Sequence, residues 1–116
     1  VTRYRTIVAD PPWPFMWSAG KGGRRRRETE LGYSTMTVDD ICSLPVNDLA
    51  DPDGCHLFLW VTDELLADGV GMRVARAWGF RRAGPSIVWS KRNFGLGRFP
   101  RPSHEQMLVC RLGSLQ

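Results

Sequence analysis

Thr6-Ile7-Val8-Ala9-Asp10-Pro11-Pro12-Trp13 is the stretch from which the rest of the chain can be read. Its first four residues are apolar or β-branched and are stopped by Pro11, which predicts a short buried strand over 6–9. An acid, two prolines and an indole then stand at that strand's carboxyl end. Open α/β sheets bind ligands there. Proline lacks an N–H and fixes φ, so the two proline carbonyls are expected as free acceptors in a stiff segment. Acceptors beside a flat aromatic face suit a flat ligand that carries an amino group.

Further elements follow downstream. Thr37 is placed to cap a short helix, with Asp39 and Asp40 in its first turn, Ile41 and Leu44 on its apolar side and Pro45 after it. Residues 47–54 read as a polar loop. Cys-His-Leu-Phe-Leu-Trp-Val over 55–61 is nearly all apolar, the pattern of a central parallel strand buried on both faces. Thr62 or Asp63 is placed to cap one long helix, whose stripe is Leu66, Val70, Val74, Ala77 and Trp78, with Gly79 ending it. Ser86 to Ser90 and Glu105 to Cys110 read as two more strands, separated by a basic loop over 91–102. Strand and helix thus alternate, which predicts an α/β domain with a mainly parallel sheet.

Composition narrows the class of protein. A chain of 116 residues with 42% hydrophobic content makes one small domain with a packed core, taken as 1–116. No apolar run approaches the ~20 residues needed to cross a bilayer, and Val1-Thr2-Arg3-Tyr4-Arg5 does not read as a leader. Cys42, Cys55 and Cys110 are widely spaced and odd in number, which fits a reducing cytoplasm rather than a disulfide framework. Sixteen Lys and Arg against twelve Asp and Glu give a net charge of +4. The excess gathers at Lys21 with Arg24 to Arg27, and at Lys91, Arg92, Arg98 and Arg101. Both groups read as solvated loops or as phosphate contacts. Gly-Lys-Gly-Gly over 20–23 has no Walker spacing, and His56 beside Cys55 has no partner pair at zinc spacing, so no metal is expected.

Asp10-Pro11-Pro12-Trp13 resembles the active-site signature of the amino methyltransferases. More closely, the chain resembles the family named for the seventy-kilodalton subunit of messenger-RNA adenosine methyltransferase. Tyr33-Ser34-Thr35-Met36-Thr37 resembles that family's step before its short helix. Phe58-Leu59-Trp60-Val61-Thr62 is similar to its central strand, and Trp78-Gly79-Phe80 and Val88-Trp89-Ser90-Lys91 to the next helix end and strand. Ser103-His104-Glu105 resembles the His-Glu step of the following strand. The blocks stand in the family's order and span nearly all of the chain.

The resemblance implies a Rossmann-like fold for S-adenosylmethionine-dependent methyl transfer to the 6-amino group of adenine. The family's aromatic-Gly-Arg and Gly-Asn elements, which belong to the methyl-donor half, do not occur in the sequence, so 1–116 is expected to be the active-site half, incomplete at its C-terminus. The expected catalytic residues are Asp10, Pro11, Pro12 and Trp13. Asp10 would accept one amino N–H, the Pro11 carbonyl the other, and Trp13 would stack on the base. Asp10 and His104 are the expected contacts to S-adenosylmethionine. Tyr33 would line the base pocket, and Lys21, Arg24 and Arg25 would hold nucleic-acid phosphates. Trp60, Trp78 and Trp89 read as core, and Trp17 as pocket or packing. DNA is the preferred substrate. The alternatives are RNA, and a pseudo-methyltransferase subunit or inactive fragment that only binds nucleic acid. A homo- or heterodimer is left open.

Overall fold

A computed structural model describes residues 2–14, 32–91 and 104–114. In chain order these form β1 (Thr6–Ala9), α1 (Val38–Cys42), a 3-10 turn (Val46–Leu49), β2 (Gly54–Val61), α2 (Asp63–Ala67), α3 (Val70–Ala77), β3 (Arg81–Arg82), β4 (Ile87–Ser90) and β5 (His104–Gly113). The first strand lies where the sequence placed it, but it is not buried: Thr6 and Val8 are exposed and Ile7 and Ala9 half-buried, because β1 pairs only with β2 among the described strands. Thr37 caps α1 by accepting the Asp40 N–H at 3.1 Å, and Thr62 caps α2 by accepting the Leu65 N–H at 3.4 Å.

The strands form one sheet in the order β1-β2-β5-β3, with β4 also paired to β5. β1 and β2 are parallel, in register Ala9 with Leu59. β5 runs antiparallel to β2 along the whole length of β2, from Gly54 with Gly113 to Val61 with Gln106. β3 and β4 take successive parts of the other edge of β5, both antiparallel to it. Four strands therefore share one direction and β5 opposes them. The expectation of a mainly parallel sheet holds for strand direction but not for the ladders, three of which are antiparallel. A parallel return needs a crossover, usually a helix. The sequence between β4 and β5 is Gly- and Pro-rich with no helical periodicity, and β5 pairs antiparallel with β4.

All three helices pack on one face. Cys55, Leu57, Leu59 and Val61 alternate into the core and meet Leu108 and Cys110 of β5, Ile41 of α1, Leu65 of α2, and Val74, Ala75 and Trp78 at α3. Trp78 is the largest buried side chain, and its indole N–H donates to the Ile41 carbonyl at 2.9 Å. Burial pushes the Cys55 and Cys110 thiols above their ordinary value. His56, Phe58 and Trp60, on the opposite face of β2, are only half-buried. The expectation of a strand buried on both faces is thus corrected. Trp89, also expected in the core, is 62% exposed on β4.

The expected long helix is two. Gly69, at φ +74°, ends α2 and starts α3, a backbone setting that other residues rarely adopt. The break rotates the apolar stripe, so that Leu65 rather than Leu66 is fully buried and Ala77 faces solvent. Gly71 has a packing role: a Cβ there would lie 2.7 Å from Val61 Cγ1 and 2.9 Å from Leu108 Cδ1. Its bare backbone lets α3 sit directly on the sheet. The expected loop over 47–54 contains the 3-10 turn, and Asn47 Nδ2 donates to the Trp78 carbonyl at 3.0 Å. Among the described residues, no helix is long and apolar enough to cross a membrane.

Candidate active site

β1 delivers Asp10 to the end of the sheet where the four co-directional strands finish. The backbone then turns sharply. The Pro11 carbonyl accepts the Trp13 N–H at 2.8 Å, an i to i+2 bond closed around Pro12, and the Pro12 carbonyl accepts the Met36 N–H at 2.9 Å. The proline carbonyls are therefore not free, as the lack of proline N–H groups had suggested. Each has found a donor from a neighbouring residue or from the segment leading into α1. A carbonyl oxygen has two lone pairs, so the bond from Trp13 does not exhaust the Pro11 acceptor, but Pro11 is buried and is not among the residues that line the cavity at this end of the sheet.

Trp13 is fixed at both ends. Its ring packs against the core, and its indole N–H donates to the Trp60 carbonyl at 2.9 Å, next to the last residue of β2. This bond ties the Asp10 turn to the end of the neighbouring strand. Trp13→Phe keeps the ring and deletes the donor. It is expected to cost about 1 kcal/mol, read as a lower urea midpoint with unchanged slope.

Asp10, Trp13, Trp60, Val61, Thr62 and Glu105 line a cavity of about 110 Å³ at this end of the sheet. Three strands meet there. β1 and β2 contribute their carboxyl ends, and β5, because it runs the other way, contributes its start. Glu105 pairs in register with Trp89 of β4, and its Oε1 lies 3.0 Å from Lys91 Nζ, just past the end of β4. Partial burial first, and the negative charge of Glu105 second, hold the Asp10 carboxyl above its ordinary value of 3.8, although the residue remains solvent-accessible. The pocket therefore offers a carboxylate that holds a proton more tightly than usual, a second carboxylate, and two indoles.

Of the residues expected from sequence, Asp10 and Trp13 meet in the cavity, while Pro11 and Pro12 shape the turn between them. Tyr33 is 52% exposed and is not among the lining residues. His104 precedes Glu105 on β5, so strand alternation turns it to the other face, where its Nε2 lies 3.3 Å from Gln106 Nε2. Lys21, Arg24, Arg25 and Trp17 lie outside the described residues. Four lining residues were missed as site residues: Trp60, read as core; Val61, read as strand interior; Thr62, read as a cap; and Glu105. The His-Glu step was the available signal for Glu105, but only the reversed strand shows which of its two residues enters the pocket.

A family model described as MT-A70 matches residues 4–108. A protein named Type II methyltransferase M.MunI, from Mycoplasma sp, is 26% identical over 126 residues, covering 97% of this chain and 53% of that protein. The chain thus spans about half the length of this curated relative.

Proposed function

The chain belongs to the MT-A70 family, and on that footing we propose that it forms the active-site half of a methyltransferase with a Rossmann-like fold. The proposed reaction is S-adenosylmethionine-dependent transfer to the 6-amino group of adenine in DNA. The observation that carries the proposal is the Asp10-to-Trp13 turn, which opens onto a cavity with a second carboxylate and two indoles. The adenine amino nitrogen is a poor nucleophile, because its lone pair is delocalised into the ring. Asp10 accepts one N–H and the remaining lone pair of the Pro11 carbonyl accepts the other. Together they return electron density to nitrogen and fix its direction.

S-adenosylmethionine supplies an electrophilic methyl group on a positively charged sulfur. Carboxylates and aromatic faces both favour an onium centre, so Asp10, Glu105, Trp13 and Trp60 fit the reacting end of that donor. As the N–C bond forms and the C–S bond breaks, sulfur takes the electron pair and positive charge moves to the amino nitrogen. That nitrogen then loses one proton. Asp10, which accepts one of its N–H groups in this arrangement and holds a proton more tightly than an ordinary carboxylate, is placed to take it.

The preference for DNA rests on the bacterial source of the relative. A base in a duplex must first leave the stack, at a cost of about a few kcal/mol, so single-stranded or mismatched sites should react faster than paired ones. The intended setting is the cytoplasm, with nucleic acid as the partner. The test is transfer of labelled methyl from S-adenosylmethionine to matched DNA and RNA oligonucleotides by the full-length protein, with the modified base identified by digestion and mass spectrometry. N6-methyladenine in DNA is the expected product. Label in RNA alone would move the substrate to RNA. Binding without transfer would favour the nucleic-acid-binding subunit instead.

A further inference from the structure

The structure gives Glu105 a relation to Asp10 that goes beyond the fit to the methyl donor proposed above. It is brought to the pocket by β5, the one strand that runs against the others, and it lines the same cavity as Asp10. It is also held. Lys91 Nζ lies 3.0 Å from Glu105 Oε1 and does not itself line the cavity. An ammonium beside the carboxylate favours one orientation of the Glu105 side chain.

We propose that Glu105, oriented by Lys91, is a positioning residue of this pocket, whose fixed negative charge makes the Asp10 carboxylate a stronger acceptor for the substrate's amino hydrogens. This deepens the function proposed above and rests on it for its biological meaning. Its physical content, a coupling between two side chains, stands apart from any reaction. The direction of the Asp10 shift agrees: after burial, Glu105 is the group that raises it. Among the described residues, the other charged groups near this end do not substitute. His104 turns to the opposite face of β5, and Asp63 and Glu64 stand exposed in the first turn of α2, beyond Thr62.

The test is a carboxylate NMR titration of the 116-residue chain, following Asp10 in wild type, Glu105→Gln and Lys91→Met. In wild type, Asp10 is expected to titrate above 3.8. Glu105→Gln removes the neighbouring charge and should move the midpoint down. Lys91→Met leaves the Glu105 charge uncompensated and should move it up. Glu105→Asp should stay closer to wild type than Glu105→Gln. A purely structural role for Glu105 would lower the melting temperature without displacing the Asp10 midpoint, and an unchanged midpoint in Glu105→Gln overturns the proposal. Should that variant lose the folded amide spectrum, Lys91→Met decides, and a midpoint that fails to rise overturns it equally. Methyl transfer by the full-length protein, assayed in parallel, separates the two claims. Coupling without transfer defeats only the function, and transfer without coupling defeats only the role of Glu105.

Discussion

Asp10→Ala is expected to lower methyl transfer to adenine about 10²–10³-fold, the usual loss when one preorganised electrostatic partner of a reacting group is removed. Asp10→Asn should fall nearly as far. It keeps the size of the side chain but replaces a full negative charge with a neutral amide, whose carbonyl is a weaker acceptor. Neither variant should unfold the chain, because Asp10 is solvent-accessible and lies outside the buried core.

The pH dependence of stability gives an independent check with a definite sign. The folded state raises the Asp10 carboxyl above 3.8, so it binds that proton more tightly than the unfolded chain does. Below 3.8 the group is protonated in both states and contributes nothing. As pH rises through the window between 3.8 and the folded value, the ionised group increasingly opposes folding. Asp10→Asn removes that opposition. Its melting temperature should equal or exceed that of wild type at neutral pH, and the gain should vanish in acid. Rates measured beside thermal melts at both pH values decide the matter. A variant that loses activity together with stability at neutral pH would contradict the assignment of Asp10 to the chemistry.

The largest effect on stability is expected at Trp78. Its ring is 2% exposed, and its N–H is spent on the Ile41 carbonyl across the α1 contact. Trp78→Ala removes the ring and leaves a cavity, at a cost of about 3–5 kcal/mol. For a small domain whose total stability is roughly 5–15 kcal/mol, that is a large share. Trp78→Phe separates the two contributions. It keeps most of the apolar volume and removes only the indole donor to the Ile41 carbonyl, which still accepts the Leu44 N–H at 3.2 Å, so it should cost about 1 kcal/mol. Urea unfolding of the three proteins, compared at equal slope, measures both steps.

The local parts of this architecture could be read directly from the chain. β1 ends where Pro11 ends it, and Thr37 and Thr62 cap the helices they precede, because hydroxyl and pyrrolidine chemistry act within three or four residues. The division of the expected long helix was harder to see. Gly69 in a helical pattern costs only about 1 kcal/mol, and its left-handed φ is a choice that the packing of α2 and α3 makes. Gly71 looked like a weakness in the helix for the same reason. Its purpose is visible only in the 2.7 Å gap to Val61 that a Cβ would have to enter.

The site divides along the same line. By itself the sequence determined the β1 strand, the acid and prolines at its end, the indole beside them and, through five ordered blocks, the family. Those features are carried by residue identity and short spacing. Only the tertiary structure decided that the Pro12 carbonyl is taken by Met36, that Trp13 is pinned to the Trp60 carbonyl, and that Glu105 rather than His104 enters the pocket. Each of these depends on which strand lies beside which, and in what direction. The reversal of β5 exchanges the end of a strand for its beginning, and strand alternation then selects every second side chain. A chain read one residue at a time carries no record of either, because the groups that meet at Asp10 come from positions 13, 60 to 62 and 105, brought together by the sheet alone.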